Sequence, residues 1–193
     1  SVWGDRVAVA AWLVAMLLVV TGVWGRLTGG AKSFGLGQRA DWFAHAAARF
    51  AGRSDFPKTA LVAHFGQSAV FTYHNGPNRK VFVDGRLEVC TQATVARHER
   101  ILDQMVRGDR QWEEEHLAEF GELPLVLLDR RDARPQIEAL VSSGTWRLIY
   151  ADRTAALFLE LDLAKRLGVP AENPSVLGLT GPIVRPTIRP DRK

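Results

Sequence analysis

Lys80-Val81-Phe82-Val83-Asp84-Gly85-Arg86 is a run of β-branched and aromatic residues that stops abruptly on an acid, a glycine and a base. The run has strand composition. Asp84, Gly85 and Arg86 then fall just past the carboxyl end of a sheet strand, where α/β proteins commonly place ligands. Working outward, Thr94 can cap a helix reaching Arg107, with Val95, Ile101, Leu102, Met105 and Val106 on its apolar side and Gly108 at its end. Trp112, His116 or Leu117, and Phe120 mark another short helix before Gly121. Residues 123–128 form an apolar run of strand length with Pro124 at its start. Asp132 and Pro135 open a helix lined by Ile137, Leu140 and Val141 that stops at Gly144. Residues 146–150 and 155–159 read as a hairpin about 151–154, with Asp-Arg a weaker turn than Asp-Gly.

Upstream of the same stretch, Asn75-Gly-Pro-Asn78 is turn chemistry, and residues 67–73 are helix-compatible. Residues 59–65 read as a buried strand broken by Gly66. Trp42, Phe43, Ala46, Ala47 and Phe50 recur at helical spacing over 41–50, with Gly52 as a C-cap. Strands alternating with helices predict an α/β domain: a central mixed, partly parallel sheet flanked by helices, with an antiparallel hairpin at its end.

The first part of the chain is different. Residues 7–25, VAVAAWLVAMLLVVTGVWG, contain no charge, and a bilayer core needs about 20 mainly apolar helical residues. Arg6 and Arg26 bracket the run, and Trp3 and Trp24 stand where interfacial aromatics belong. A signal peptide is expected to have an apolar core of about 7–15 residues followed by a small-residue cleavage site; here Trp24-Gly-Arg-Leu follows. The expected organisation is a transmembrane helix with flanks over 1–28, a glycine-rich connector over 29–40, the α/β domain over 41–162 and an extended proline-rich tail over 163–193. The chain opens on Ser1 rather than Met, which reads as the tail of a longer protein.

Composition excludes several classes. A 47% apolar and 24% charged chain is globular rather than disordered. The net charge of +4 comes from scattered bases with no basic stripe, so nucleic acid is not an expected partner. A single cysteine, Cys90, rules out a disulfide framework or a cysteine zinc cluster and reads as a small buried hydrophobe.

Candidate chemistry is sparse. Asp84 could accept hydrogen bonds from a ligand and Arg86 could hold an anion; the competing reading is an Asp turn with Gly85 at positive φ and an internal ion pair to Arg86. His64 and His74 could join Asp84 on a metal, but their spacing matches no short ligand motif and His64 lies within the predicted strand, so no metal and no cofactor is expected. Glu113-Glu114-Glu115 point in different directions on a helix and read as a solvated first turn. Gly35-Leu-Gly37 lacks the preceding strand and third glycine of a dinucleotide fingerprint. Ser68 lacks a nucleophile elbow.

The ordered succession of an apolar span, a helix, a strand, "RKVFVDGRLEVC", a helix with a Trp112-centred partner, "LPLVLLDRR", "SGTWRLIYADRTAALFLE" and a proline-rich tail resembles a known group. It is similar to the C-terminal soluble domain of bacterial multi-pass membrane proteins related to lipid-linked-sugar glycosyltransferases, the protein mannosyltransferase-like and aminoarabinose-transferase-like group. The resemblance covers about residues 41–160. It implies an extracytoplasmic domain following the last transmembrane helix of a larger cell-membrane protein. That family's catalytic acid lies in an early loop with no counterpart here, so no catalytic residue carries over, and only Asp84, Gly85 and Arg86 match a family motif. Where relatives carry a Trp-Gly-Gly-Tyr-like stretch, this chain has Phe65-Gly66-Gln67-Ser68. Arg26, Lys32 and Arg39 against Arg6 alone favour a cytoplasmic domain by charge; the family topology is preferred, because earlier spans override one helix's flanks.

The expected function is that of a non-catalytic module supporting acceptor or partner recognition, with the lipid bilayer and the upstream transmembrane part of the same protein as partners. Two alternatives stand beside it. One is a membrane-anchored hydrolase or phosphate-binding enzyme using Asp84, Arg86 and Asp129 in a shared pocket. The other is a single-span adaptor that binds a protein through an exposed apolar patch.

Overall fold

β3 (Leu125–Asp129) is buried at all five positions, and its side chains divide alternately between two cores. Leu125 and Leu127 join Ala60, Val62, Phe71, Leu157 and Leu159 on one face, while Val126 and Leu128 join Leu61, Ile101, Met105, Ile137 and Phe158 on the other. A strand apolar on both faces must be sandwiched between helical layers, and it is. The computed structural model describes residues 2–21, 23, 42–84 and 90–179. The chain divides into two units, Ser1–Arg39 and Ala40–Lys193.

In the second unit α2 (His45–Phe50) precedes β1 (Thr59–Val62), α3 (Phe65–Asn75) and β2 (Lys80–Val81). Then come α4 (Gln92–Arg107), α5 (Gln111–Phe120), β3, α6 (Arg134–Ser143), β4 (Trp146–Ala151), β5 (Ala155–Glu160), α7 (Leu161–Arg166) and a 3-10 turn at Pro174–Leu177. The strand order is β2-β1-β3-β5-β4. β1 pairs in parallel with β2 and β3, and β5 is antiparallel to both β3 and β4. The chain is therefore a mixed five-stranded α/β domain in which β5 alone of these strands runs against the rest. α2, α3 and α7 contribute to the first core and α4, α5 and α6 to the second. Because β1 leads to β2 on one side and the return to β3 passes to the other, the winding reverses between the carboxyl ends of β1 and β3.

Several boundaries differ from the sequence reading, each for a local reason. β1 ends at Val62, not at residue 65, because His64 caps α3: its Nδ1 accepts from the Gly66 N–H at 3.1 Å. Gly66 therefore lies inside the first helical turn instead of breaking a strand. α2 starts at His45, since the Ala44 N–H is held by Gln67 Oε1 at 2.8 Å. Thr91, three residues before Thr94, caps α4 and accepts from the Thr94 N–H. Ala133 stands where Asp132 was expected to cap α6. β2 keeps only two ladder residues, although the Phe82 N–H still donates to the Ala60 carbonyl. Gly76 in the 75–78 turn is required by close approach: a Cβ there would sit 2.8 Å from the Thr72 carbonyl.

The hairpin forms as predicted without a glycine because Asp152 organises the turn. Its Oδ1 accepts from the Thr154 N–H, the Thr154 hydroxyl and the Ala155 N–H, and its Oδ2 accepts from the Tyr150 hydroxyl at 3.0 Å. Burial and the Asp152 carboxylate push the Tyr150 phenol up to about 12. Beyond α7 the chain lies against β4: the Glu172 N–H donates to the Leu148 carbonyl, and Arg147 Nη1 donates to that of Val169.

In the first unit, α1 (Val2–Val20) carries exposed apolar side chains at Val7, Val9, Trp12, Leu13, Val14, Met16 and Leu17. At about 100° per residue these surround the helix axis. Among the described residues no helix is long and apolar enough to cross a membrane. The side chains of α1 are described over residues 3–18, which include Asp5 and Arg6. Positions 22, 24 and 25 of the run 7–25 lie outside the described residues, as do the connector and positions 180–193.

Candidate functional site

The carboxyl ends of β2, β1 and β3 are where this topology would set a ligand. Asp84 follows β2 there, half-buried, and its carbonyl accepts from the Cys90 thiol at 3.4 Å. Gly85 and Arg86 lie outside the described residues. Cys90 is a free, half-buried cysteine rather than a fully buried one.

At the winding reversal stands Asp129, the last residue of β3, whose side chain is 0% exposed. Its Oδ1 accepts from the Arg131 N–H at 2.9 Å and Arg131 Nε at 3.0 Å. Its Oδ2 accepts from Arg131 Nη2 at 2.6 Å and Gln67 Nε2 at 2.7 Å. A carboxylate offers about four lone-pair sites, so this one is filled. Burial works to raise its pKa, but the Arg131 and Gln67 donors outweigh it and hold Asp129 below the usual carboxylate range. Both donors also reach Trp42: Gln67 Nε2 and Arg131 Nη2 donate to its carbonyl at 3.1 and 3.0 Å. The guanidinium lies 4.2 Å from the centre of its ring. The result is a clasp between the residues before α2, the first turn of α3 and the end of the central strand.

Two of the cavities among the described residues of this unit lie elsewhere, and neither is lined by Asp84 or Asp129. The larger, about 530 Å³, sits where α4 ends, α5 begins and α6 turns into β4. Trp112 and Trp146 stack beside it with ring centroids 5.4 Å apart. Glu113 is buried there, taking Trp146 Nε1 at 2.9 Å and Arg110 Nη2 at 2.5 Å. This corrects the reading of Glu113 as part of a solvated face; only Glu114 of the three is exposed. The cations on this wall are paired internally, Arg110 with Glu113 and Arg107 with Asp103.

The second cavity, about 360 Å³, lies between β2 and the helices α4 and α5. His116 is buried in its lining, with Nε2 3.1 Å from the Thr59 hydroxyl and its ring centroid 4.4 Å from that of Phe120. Burial pushes His116 down to about 4. His98 is lowered by burial too, and its Nε2 bonds the Val62 carbonyl at 2.9 Å. Both rings are therefore neutral at pH 7.

The sign of the linkage follows. The unfolded chain, with histidine near 6.5, takes up protons before the folded one does. The stability that His116 contributes is complete above about pH 6.5 and is lost as pH falls toward 4, by up to about 3 kcal/mol. Urea midpoints measured across that range should drop more steeply for the wild-type chain than for His116→Phe; equal slopes would contradict this assignment.

His64 and His74 are not brought together. They lie ten positions apart along α3, about 15 Å of helical rise, and His74 Nε2 is instead 2.9 Å from His45 Nδ1. Among the described residues no group of three or more His, Cys, Asp or Glu is placed to hold a metal ion. Sequence reasoning passed over His98, met Gln67 only as a departure from a family motif, and placed Glu113 on a solvated face; Asp129 was readable only as a strand-end acid.

No family model matches the chain, and no match was found among curated proteins or solved structures.

Proposed function

We propose that the chain is a non-catalytic, membrane-attached recognition module. It would be the extracytoplasmic C-terminal part of a membrane-embedded glycosyltransferase-like protein, binding an acceptor or partner for that protein. The observation that carries membrane attachment is the apolar surface exposed all round α1, which water does not stabilise and acyl chains do. The resemblance over residues 41–160 supports the glycosyltransferase-like parent. The saturated Asp129 carboxylate favours a structural over a reactive role at the strand ends, and so weighs against the hydrolase alternative.

In cell fractionation the chain should pellet with membranes and resist alkaline carbonate washing. Leu13→Arg with Met16→Arg should release it into the soluble fraction, since each arginine near the centre of a span costs about 2.5–3.5 kcal/mol. Recovery of the unaltered chain in the soluble fraction would refute membrane attachment. An extracytoplasmic domain predicts that a cysteine installed at exposed position Glu99, in a Cys90→Ala background, reacts with an impermeant maleimide on intact cells.

A further inference from the structure

The 360 Å³ cavity between β2, α4 and α5 is divided by chemistry. Val81, Phe82 and Phe120 give it apolar walls, and the neutral His116 leaves its buried part uncharged. Its charges belong to the more exposed members. Arg97 stacks on Phe82 with its guanidinium 5.2 Å from the ring centre and is paired to Glu119 at 2.7 Å. Lys80 is exposed and makes no ion pair among the described residues. Among the described lining residues one positive charge is therefore left over beside an apolar chamber. Leu117 and Phe120, 49% and 40% exposed, extend the apolar surface along the same face of α5.

We propose that this cavity binds a small anionic amphiphile from solution, a medium-chain acyl carboxylate or phosphate monoester, with its chain among Val81, Phe82 and Phe120 and its head at Lys80 and Arg97. The volume falls within the range of small-molecule sites, about 300–1,000 Å³. At roughly 30 Å³ per water-sized group it admits about a dozen heavy atoms. That suits an eight-carbon acid and is too small for a two-chain phospholipid. The surplus charge favours an anionic head over a neutral one.

The test is calorimetric titration of sodium octanoate into the full chain in phosphatidylcholine nanodiscs, with empty discs measuring partition into lipid. Saturable binding with a Kd of about 1 mM or tighter is expected. Lys80→Gln should weaken it about three- to five-fold, as should replacing octanoate with octanol. Ala93→Phe, at an exposed position on the cavity wall, should abolish it while the melting temperature is retained. The Hε1 resonance of His116 should shift with octanoate in the wild-type chain and not in Ala93→Phe.

Octanoate uptake identical for both variants and no greater than in empty discs would overturn the proposal. So would octanol binding as tightly as octanoate. If phosphatidylglycerol in the discs displaces octanoate, the head-group site belongs to a membrane lipid and the commitment to a soluble amphiphile fails.

Discussion

Asp129→Ala should destabilise the α/β domain by about 1–3 kcal/mol, because the buried Gln67 amide loses its carboxylate acceptor, while Arg131, 32% exposed, can turn to water. Four hydrogen bonds disappear together, and Gln67 and Arg131 lose the acceptor that positions them against the Trp42 carbonyl. Asp129→Asn should be milder: the amide retains one acceptor oxygen but turns a donor toward the Arg131 and Gln67 groups. The pH dependence has the opposite origin from that of His116. A carboxylate held below its unfolded pKa of about 3.9 contributes stability that is present above that value and fades as pH falls through the folded pKa. Urea unfolding at pH 7 measures the loss. The hydrolase reading expects Asp129→Ala to fold normally and lose an activity; a midpoint unchanged at pH 7 would therefore undo the structural assignment of this residue.

Trp146→Ala is the second large effect. The indole is 5% exposed, stacks on Trp112, and donates its N–H to Glu113. Truncating a buried Trp to Ala costs about 3–5 kcal/mol. An orphaned acceptor on the buried Glu113 adds about 1–3 kcal/mol. Trp146→Phe separates the two contributions, keeping a ring against Trp112 while removing the donor, and should cost about 1–3 kcal/mol. If Phe and Ala are equally damaging, the hydrogen bond rather than the packing dominates; if Phe is neutral, Glu113 has found another partner.

Between residues 45 and 160 the helices and strands announced by composition and period are largely those the structure contains, whereas the stretch read as an extended tail from 163 includes the end of α7 (Leu161–Arg166) and a 3-10 turn at Pro174–Leu177. β3 and β5 are apolar on every face because both faces are covered, so no alternation had to be found. The glycines at 108, 121 and 144 end helices in left-handed geometry, which a sequence states almost directly. Boundaries were harder where a side chain rather than a propensity decides. Nothing in residues 62–66 reveals that a histidine will cap α3, and Thr94 looks as good a cap as Thr91. The candidate site was least legible of all. Asp129 acts through Gln67 and Arg131; Gln67 is 62 positions away in sequence, a separation that periodicity does not register. Asp84 was conspicuous because it sits in a motif, whereas His116 was an alternative to Leu117 on a helix face. Only the sheet packed beneath α5 turns the histidine inward and leaves Leu117 exposed.

The clasp has a mechanical meaning. The backbone carbonyl of Trp42 is gripped by two side chains that are themselves locked to the end of the central strand. A pull arriving along the polypeptide from before Trp42 meets that grip ahead of any helix, and loads β3 rather than peeling α2 from the outside. Tension on that carbonyl would pass into a strand that is buried at all five of its positions.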